Sequence, residues 1–550
     1  MWNVIVSYFP SWEIWLQAAI GLCVPYGISL AVSKTKHPNQ EGSEQEGGAE
    51  DNPDLIFAGD LHAESARIQN YFQHQSDFDL RMFCLGKSDQ QAAIFFIKCI
   101  SDKELIETHI LKSLMTDLAQ TEGGSEAPKP PYSKQFIVRH ALTVSGVEEV
   151  DTLDKAVSEM QRGNTVLLID QCPGALVLST RKVYARSVEE PPSELLVRGP
   201  RLGFNESIEH NLALLRQHGN NDNLVLNCVP VGRRVKRELL ITYVADIADP
   251  NLVREVMARI KRLDLDDVQD TGYIEQIVED NFLSPFPQVQ STERLDRVLA
   301  ALLEGRVALI LDGTPFALIV PVTFNMLLQS PEDYYERWMP VTLLRILRYF
   351  AAFISAFGPS LYISFISFHQ GLIPTKLALS IAETRAGVPF PSLIEVLIME
   401  VALEIMREAG LRLPKPIGQT IGIVGGLVIG EAAVQAGIVS PIMIIVVAVT
   451  AISSFAIPQY NAGITLRMLR FGAMFFAAVF GLYGVILFFL ALCSHLVKLK
   501  SFGIPYVSPA APYRLRDWKD YFMRAPLRWM TRRPKMLHVQ DQVRKKQQEE

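Results

Sequence analysis

The sequence predicts a duplicated soluble domain of the α+β or α/β class followed by an all-α polytopic transmembrane domain. Three observations lead there. Two blocks of the front half recur in the same order further along the chain. Between Val341 and Ser494 only 15 of 154 residues are charged, about half the 20% of the whole chain. From His495 to Glu550 there are 13 Lys/Arg against 5 acids, so the basic excess is confined to the end. Overall, 53 Lys+Arg against 59 Asp+Glu leave a net charge of −6, which gives no support for a nucleic-acid partner.

These shifts divide the chain into a candidate N-terminal membrane segment and acidic linker (1–54), a first α/β subdomain (55–183) and a second (184–325). A helical transmembrane domain (326–497) and a basic cytoplasmic tail (498–550) follow. Within the first part, Ile14 to Val32 carries no charge and is just long enough to span a bilayer. Lys34 and Lys36 follow it, which by the positive-inside tendency puts the next residues in the cytoplasm. Glu41 to Asp54 is rich in Gly and acids with no apolar period, and reads as a solvated linker. Six scattered cysteines (Cys23, Cys84, Cys99, Cys172, Cys228, Cys493) form no paired spacing, so they predict reduced thiols and neither a disulfide framework nor a zinc site.

The repeat is visible in two blocks. FDLRMFCLGKSDQQAAIFFIKCISDKELIETHI (Phe78 to Ile110) and NLVLNCVPVGRRVKRELLITYVADIADPNLVREVM (Asn223 to Met257) both read strand, turn, strand, helix. Asp102 aligns with Asp249 and Leu105 with Leu252, an offset of 147. RGNTVLLIDQCPGALVLS (Arg162 to Ser179) matches EGRVALILDGTPFALIVP (Glu304 to Pro321) through Gly163/Gly305, Asp170/Asp312, Pro173/Pro315 and Ala175/Ala317, at an offset of 142. In the paired D-x-x-P turns the carboxylate is expected to accept from nearby amides while Pro fixes φ. No His, Lys, Ser or metal-ligand partner recurs beside either Asp, and there is no Walker A, G-x-G-x-x-G, H-E-x-x-H or G-x-S-x-G motif. The sequence therefore predicts no catalytic residue, metal or cofactor, and no enzyme.

Three further strings stand outside the repeat. VRGPRLGFNESIEHNLALLRQH (Val197 to His218) lies between its halves and holds Arg198, Gly199, Pro200 and Arg201. LQSPEDYYER (Leu328 to Arg337) holds Pro331, Glu332 and Asp333. Leu393 to Phe455 is a long apolar string rich in Gly. Together they resemble the GerA family of spore germination receptors, specifically its A-type subunit, from about Phe78 to Pro505. The chain departs from that pattern at Leu202, where an acidic residue is expected, and in its apolar N-terminal segment. The resemblance implies a multi-pass protein of the inner membrane of a bacterial spore, with its large N-terminal domain in the cytoplasm. It implies a transporter-like B subunit that senses nutrient and a lipoprotein C subunit as partners, and a homo-oligomer in the lipid bilayer that conducts cations. A paralogous branch acts in spores without sensing nutrient.

Three uncharged runs in the last half have bilayer length: Tyr349 to Phe368, Ile438 to Ile457 and Phe471 to Cys493. Lys498, Lys500 and the basic tail suggest a cytoplasmic C-terminus, while Arg467 and Arg470 at the other end of the last run compete with that assignment. Gly418, Gly422, Gly426 and Gly430 recur at i+4, the spacing of a helix face bare enough for close helix packing. Glu400, Glu404 and Glu408 form an acidic stripe on an otherwise apolar helix, with Glu395 about 140° away. Carboxylates at that depth are costly unless they face water, cations or a basic partner. The stripe is therefore the candidate ion pathway, lining or guarding a cation path in an assembled ring. The plainer alternative pairs Arg407 with Glu404 in a helix lying flat at the interface. For the whole chain the rivals to a channel are a non-conducting receptor scaffold and a secondary transporter with broken helices at Leu411 to Gly437. The basic, aromatic end is expected to be a disordered tail or to rest on anionic headgroups.

Overall fold

The computed structural model describes residues 56–73, 75–118, 132–144, 146–182, 190–191, 193–219, 221–414, 426 and 430–545. The candidate span 14–32 and the acidic linker lie outside the described residues.

The first subdomain begins with α1 (Leu61–Tyr71), capped by Asp60, whose carboxylate accepts from the amides of His62 at 3.1 Å and Ala63 at 3.2 Å. Strands β1 (Phe78–Cys84) and β2 (Gln91–Ile97) follow, then the helical stretch α2 (103–117), which runs mostly in wide π-type turns. Next come α3 (Lys134–His140), β3 (Val147–Val150), α4 (Leu153–Gln161), β4 (Thr165–Ile169) and β5 (Ala175–Leu178). The second subdomain holds α5 (Ile208–Gly219), β6 (Leu224–Val231), β7 (Arg237–Val244), α6 (Pro250–Ile260), α7 (Thr271–Val278), β8 (Gln290–Thr292), α8 (Leu295–Leu303), β9 (Val307–Leu311) and β10 (Ala317–Val320). The sheets have the orders β1-β2-β4-β5-β3 and β6-β7-β9-β10-β8, the same path, antiparallel throughout.

Strand β2 explains why both faces are covered. In QAAIFFI, Ala93, Phe95 and Ile97 enter a core with Ile68 and Phe72 of the α1 region and Met160 of α4. Ala92, Ile94 and Phe96 enter another with Ile106 and Ile110 of α2 and Ile137 of α3. Alternate residues of a strand point to opposite faces, so an unbroken apolar run needs cover on both. Strand β9 repeats this, with Ala308 and Ile310 on one face and Val307, Leu309 and Leu311 on the other.

The aligned residues fill equivalent roles. Asp102 caps α2 by accepting from Leu105 N at 3.2 Å, and Asp249 caps α6 by accepting from Asn251 N at 2.9 Å. Gly163 and Gly305 have φ of +97° and +96°, where a Cβ is strained. The D-x-x-P turns differ from expectation, since among the described residues neither the Asp170 nor the Asp312 carboxylate accepts from an amide of its own turn. Asp312 reaches the Ile208 amide at 3.2 Å, and so caps α5 on a distant segment rather than an amide of its own turn. Across the subdomain junction, Arg216 donates to both oxygens of Asp77 at 3.1 and 3.2 Å, with both side chains buried.

After the short helices α9 (Phe324–Leu327) and α10 (Glu332–Tyr335) comes the helical region: α11 (Trp338–Ser367), α12 (Thr375–Arg385), α13 (Ser392–Arg412), α14 (Pro441–Phe455) and α15 (Tyr460–Lys498). Among the described residues, α11 and α15 are long and apolar enough to cross a membrane. Two of the three expected spans change. Helix α14 has only 15 residues, because Pro441 opens it and Pro458 closes the turn beyond it. Helix α15 is not straight. At Gly481 the backbone takes φ +61° and ψ −140°, and the chain folds back into two legs, 460–480 and 482–498. Phe476 and Phe488 pack with centroids 5.3 Å apart across the legs. A Cβ on Gly472 would sit 3.1 Å from the Phe488 ring.

Both ends of this hairpin rest on one loop of the second subdomain. Gln459 donates to Ser291 O at 2.7 Å and Thr465 to Pro285 O at 2.6 Å, while His495 Nε2 lies 2.9 Å from Ser284 Oγ. The competition between Arg467/Arg470 and Lys498/Lys500 therefore dissolves, because the reversal brings both basic flanks to the same end. The tail also departs from expectation. β11 (Lys500–Ser501) and β12 (Ile504–Pro505) form a hairpin. Ser501 Oγ then donates to Gln288 O at 2.7 Å, and Met536, Leu537 and Val539 enter the core of the second subdomain. Apolar residues spaced among the arginines supply the burial that a solvated tail would lack.

Candidate functional site

The glutamates of α13 descend through the helical bundle, and each meets an arginine. Glu395, fully buried near the end of the bundle remote from the second subdomain, accepts from Arg385 at 2.6 Å and from Ser440 N at 3.2 Å. Glu400 is paired with Arg470, whose Nε also donates to Ser355 O at 2.7 Å. Glu404 lies 3.1 Å from Arg407 and 3.4 Å from Arg467. Glu408 pairs with Arg412 at 2.6 Å. Exposure of the three stripe carboxylates rises from 1% to 32% to 62%, so the stripe runs from the bundle interior to its surface. One Glu400 oxygen, Oε1, is buried without a partner among the described residues. Arg470 was not visible as the partner of Glu400 in the sequence. Its signal is an arginine nearly three turns into α15 and directly beside an uncharged apolar run, where a facing carboxylate offsets the cost of burial.

Of the glycine row, Gly418 and Gly422 lie outside the described residues. Among the described residues nothing lies within 4 Å of a Cβ on Gly426, and a Cβ on Gly430 would be 3.9 Å from Ile444, an ordinary contact.

The two motif strings meet each other. The Glu332 carboxylate accepts from the amides of Val197 and Arg198, and the Arg198 guanidinium stands 3.9 Å from Glu336. Gly199 lies against the Tyr335 ring, where a Cβ would approach to 2.7 Å. Pro200 O accepts from Arg294, Arg201 pairs with Glu190 at 3.6 Å, and Leu202 packs on the core of the second subdomain. Asp333 is buried and accepts from Arg345 Nε at 2.9 Å and Arg348 Nη1 at 2.8 Å. Arg345 reaches on to Asp520 of the tail at 2.6 Å, and Tyr334 donates to the same carboxylate at 2.5 Å. Burial and the neighbouring Asp520 push the Tyr334 hydroxyl pKa well up. These contacts tie the linker between the repeats, the start of α11 and the tail into one junction.

Beside this junction is a cavity of about 440 Å³, to which Pro331 contributes together with Glu194, Arg297, Arg348, Arg407 and Arg467. Burial raises the Glu194 carboxyl pKa and lowers that of the Arg297 guanidinium.

The family model described as Bacillus/Clostridium GerA spore germination protein matches residues 66–536. The chain is 42% identical to spore germination protein GerLA of Bacillus cereus over 88% of its own length and 97% of that protein. It is also 42% identical to spore germination protein B1 of Bacillus subtilis (strain 168), over 88% of its length and 99% of that relative. The crystal structure of the N-terminal domain of the A subunit of the Bacillus megaterium spore germinant receptor GerK3 is 30% identical. It covers 49% of this chain and 97% of its own, with a TM-score of 0.39.

Proposed function

The chain belongs to the GerA family of Bacillus/Clostridium spore germination proteins; from that premise we propose that it is the A-type membrane subunit of a germination receptor that oligomerises and conducts or gates cation release. Nutrient is sensed by its partners, a transporter-like B subunit and a lipoprotein C subunit, in the inner membrane of the spore. On this reading 55–183 and 184–325 are a cytoplasmic duplication, and their shared strand order supports it. Residues 326–497 form the membrane domain, crossed more than once.

The observation that carries the reading is the graded glutamate series. Glu400, Glu404 and Glu408 place acidic groups at successive depths of the helical bundle, as a cation path requires. The pairing to Arg470, Arg467 and Arg412 describes the closed state: each guanidinium neutralises a carboxylate until a rearrangement separates them. The exposed apolar face of α11, with Leu343, Leu347 and Phe350, and the open space at Gly426 leave surface for other copies or for lipid.

Liposomes loaded with potassium and carrying the purified protein, alone and with its partners, test the idea beside a Glu400/Glu404/Glu408→Gln triple variant. Efflux that the variant loses or alters is the expected result. Unchanged efflux and selectivity in a folded variant overturns the assignment of the stripe. A non-conducting scaffold is the second reading. It is favoured by one observation, that every stripe glutamate already has an arginine within the chain.

A further inference from the structure

The cavity where the second subdomain meets the helical bundle has a donor surplus that the glutamate stripe does not explain. Four arginines line it, Arg297 from α8, Arg348 from α11, Arg407 from α13 and Arg467 from α15, against one lining carboxylate, Glu194. All four guanidinium side chains are 11–14% exposed, so water does little to solvate them. Their protein partners are few. Arg407 and Arg467 share the single carboxylate of Glu404, at 3.1 and 3.4 Å. Among the described residues Arg467 donates no hydrogen bond, and its other neighbour is the Tyr460 ring at 6.0 Å. Arg407 spends only Nη1, on Glu404, and stacks over Phe455 at 5.1 Å. Arg348 spends only Nη1, on Asp333 and Leu328 O. Each guanidinium has five N–H donors, so three of the four hold most of their donors in reserve.

Unspent donors on poorly solvated cations are costly unless an anion takes them. A tetrahedral oxyanion suits the arrangement, since guanidinium forks bind phosphate oxygens in pairs and several forks converge from different elements. We propose that this cavity is a phosphate-binding site, filled by the phosphate group of an anionic phospholipid or by free phosphate. The position suits either source. The cavity lies at the end of the bundle that meets the soluble domain, where a headgroup or a cytoplasmic anion would arrive. Bound phosphate would bridge the second subdomain to α11, α13 and α15, so its occupancy would stiffen the joint between soluble and helical parts. The inference rests on the cavity alone and holds whether or not the chain conducts.

The test uses the full-length protein, purified and stripped of lipid in detergent. Inorganic phosphate is titrated while the thermal midpoint is followed. Separately, the protein is reconstituted in phosphatidylcholine with and without phosphatidylglycerol, re-extracted, and its retained lipid identified by mass spectrometry. Wild type is expected to be stabilised by phosphate or to retain phosphatidylglycerol over phosphatidylcholine. An Arg407→Gln/Arg467→Gln protein is expected to lose that response about tenfold or more, while Arg412→Gln, outside the cavity, keeps it. Arg467→Lys guards against misfolding: it keeps the charge but not the fork, and should show partial loss. A phosphate response identifies a free anion as sufficient, and lipid retention without it identifies the headgroup. Neither response in wild type, or an undiminished one in the double variant, overturns the site.

Discussion

Arg345 Nε and Asp333 Oδ2 lie 2.9 Å apart with both side chains 1% exposed, and they join α10 to α11, the first long helix. Arg348 shares Asp333, and Asp520 of the tail shares Arg345. Removing the central carboxylate strands Arg348 and leaves Arg345 with Asp520 alone. Asp333→Asn is expected to cost about 3–5 kcal/mol, read as a lower thermal midpoint of the purified protein. Asp520→Asn should cost less, because its side chain is partly exposed. Equal losses would place the centre of the network elsewhere.

The Arg216–Asp77 pair makes the same prediction at the subdomain junction, with a sharper control. Either single truncation leaves a buried charge and should destabilise by about 3–5 kcal/mol, whereas Arg216→Met with Asp77→Leu should recover much of that loss. Denaturant unfolding of the four proteins in a double-mutant cycle measures the coupling.

Glu275 supplies a pH dependence. Burial first, then Glu279 and Asp270, raise its carboxyl pKa from 4.5 to about 7. A raised carboxyl pKa means the folded state binds the proton more tightly than the unfolded state. The group is therefore neutral to stability below 4.5, costs stability as pH rises towards 7, and carries its full penalty above. That penalty is at most roughly 3 kcal/mol. Glu275→Gln should raise the thermal midpoint above pH 7, with the gain vanishing below 4.5. A gain independent of pH would assign the effect to something other than ionisation.

The reversal at Gly481 is testable by topology. Single cysteines at the exposed positions Tyr460 and Lys498 should be labelled by an impermeant thiol reagent from the same side of a sealed vesicle, in a background where the native cysteines are replaced. Labelling from opposite sides would restore a single crossing. Gly481→Val should disturb the hairpin, because a Cβ there meets His369 at 2.9 Å and Phe368 at 3.0 Å.

Much of the soluble half was legible because its signals are local. Period-two apolar runs, turn residues and helix caps each depend on neighbours a few positions away, and they recur at 147 and 142 residues' offset with the same roles. The glutamate stripe was legible for the same reason, as was the pairing of Arg407 with Glu404 three residues before it. The partners Arg470, Arg467 and Asp520 were not, since they sit 63 to 175 residues from the acids or arginines they meet. The break in the last span was missed because Gly481 reads in sequence as one more small residue in an apolar helix. Only its positive φ marks the turn.

By itself the sequence determined the α/β class of the front half, the helical class of the second half, the acidic stripe and the family, because hydrophobic period and motif spacing are properties of consecutive residues. The tertiary structure decided which arginine answers each glutamate and which end of the bundle the basic flanks share. It also decided that the tail folds onto the second subdomain, and that four arginines converge on one cavity. The physical reason is desolvation. A charge inside a bundle must find its counter-charge wherever the packing brings one, and packing joins residues that the chain keeps far apart.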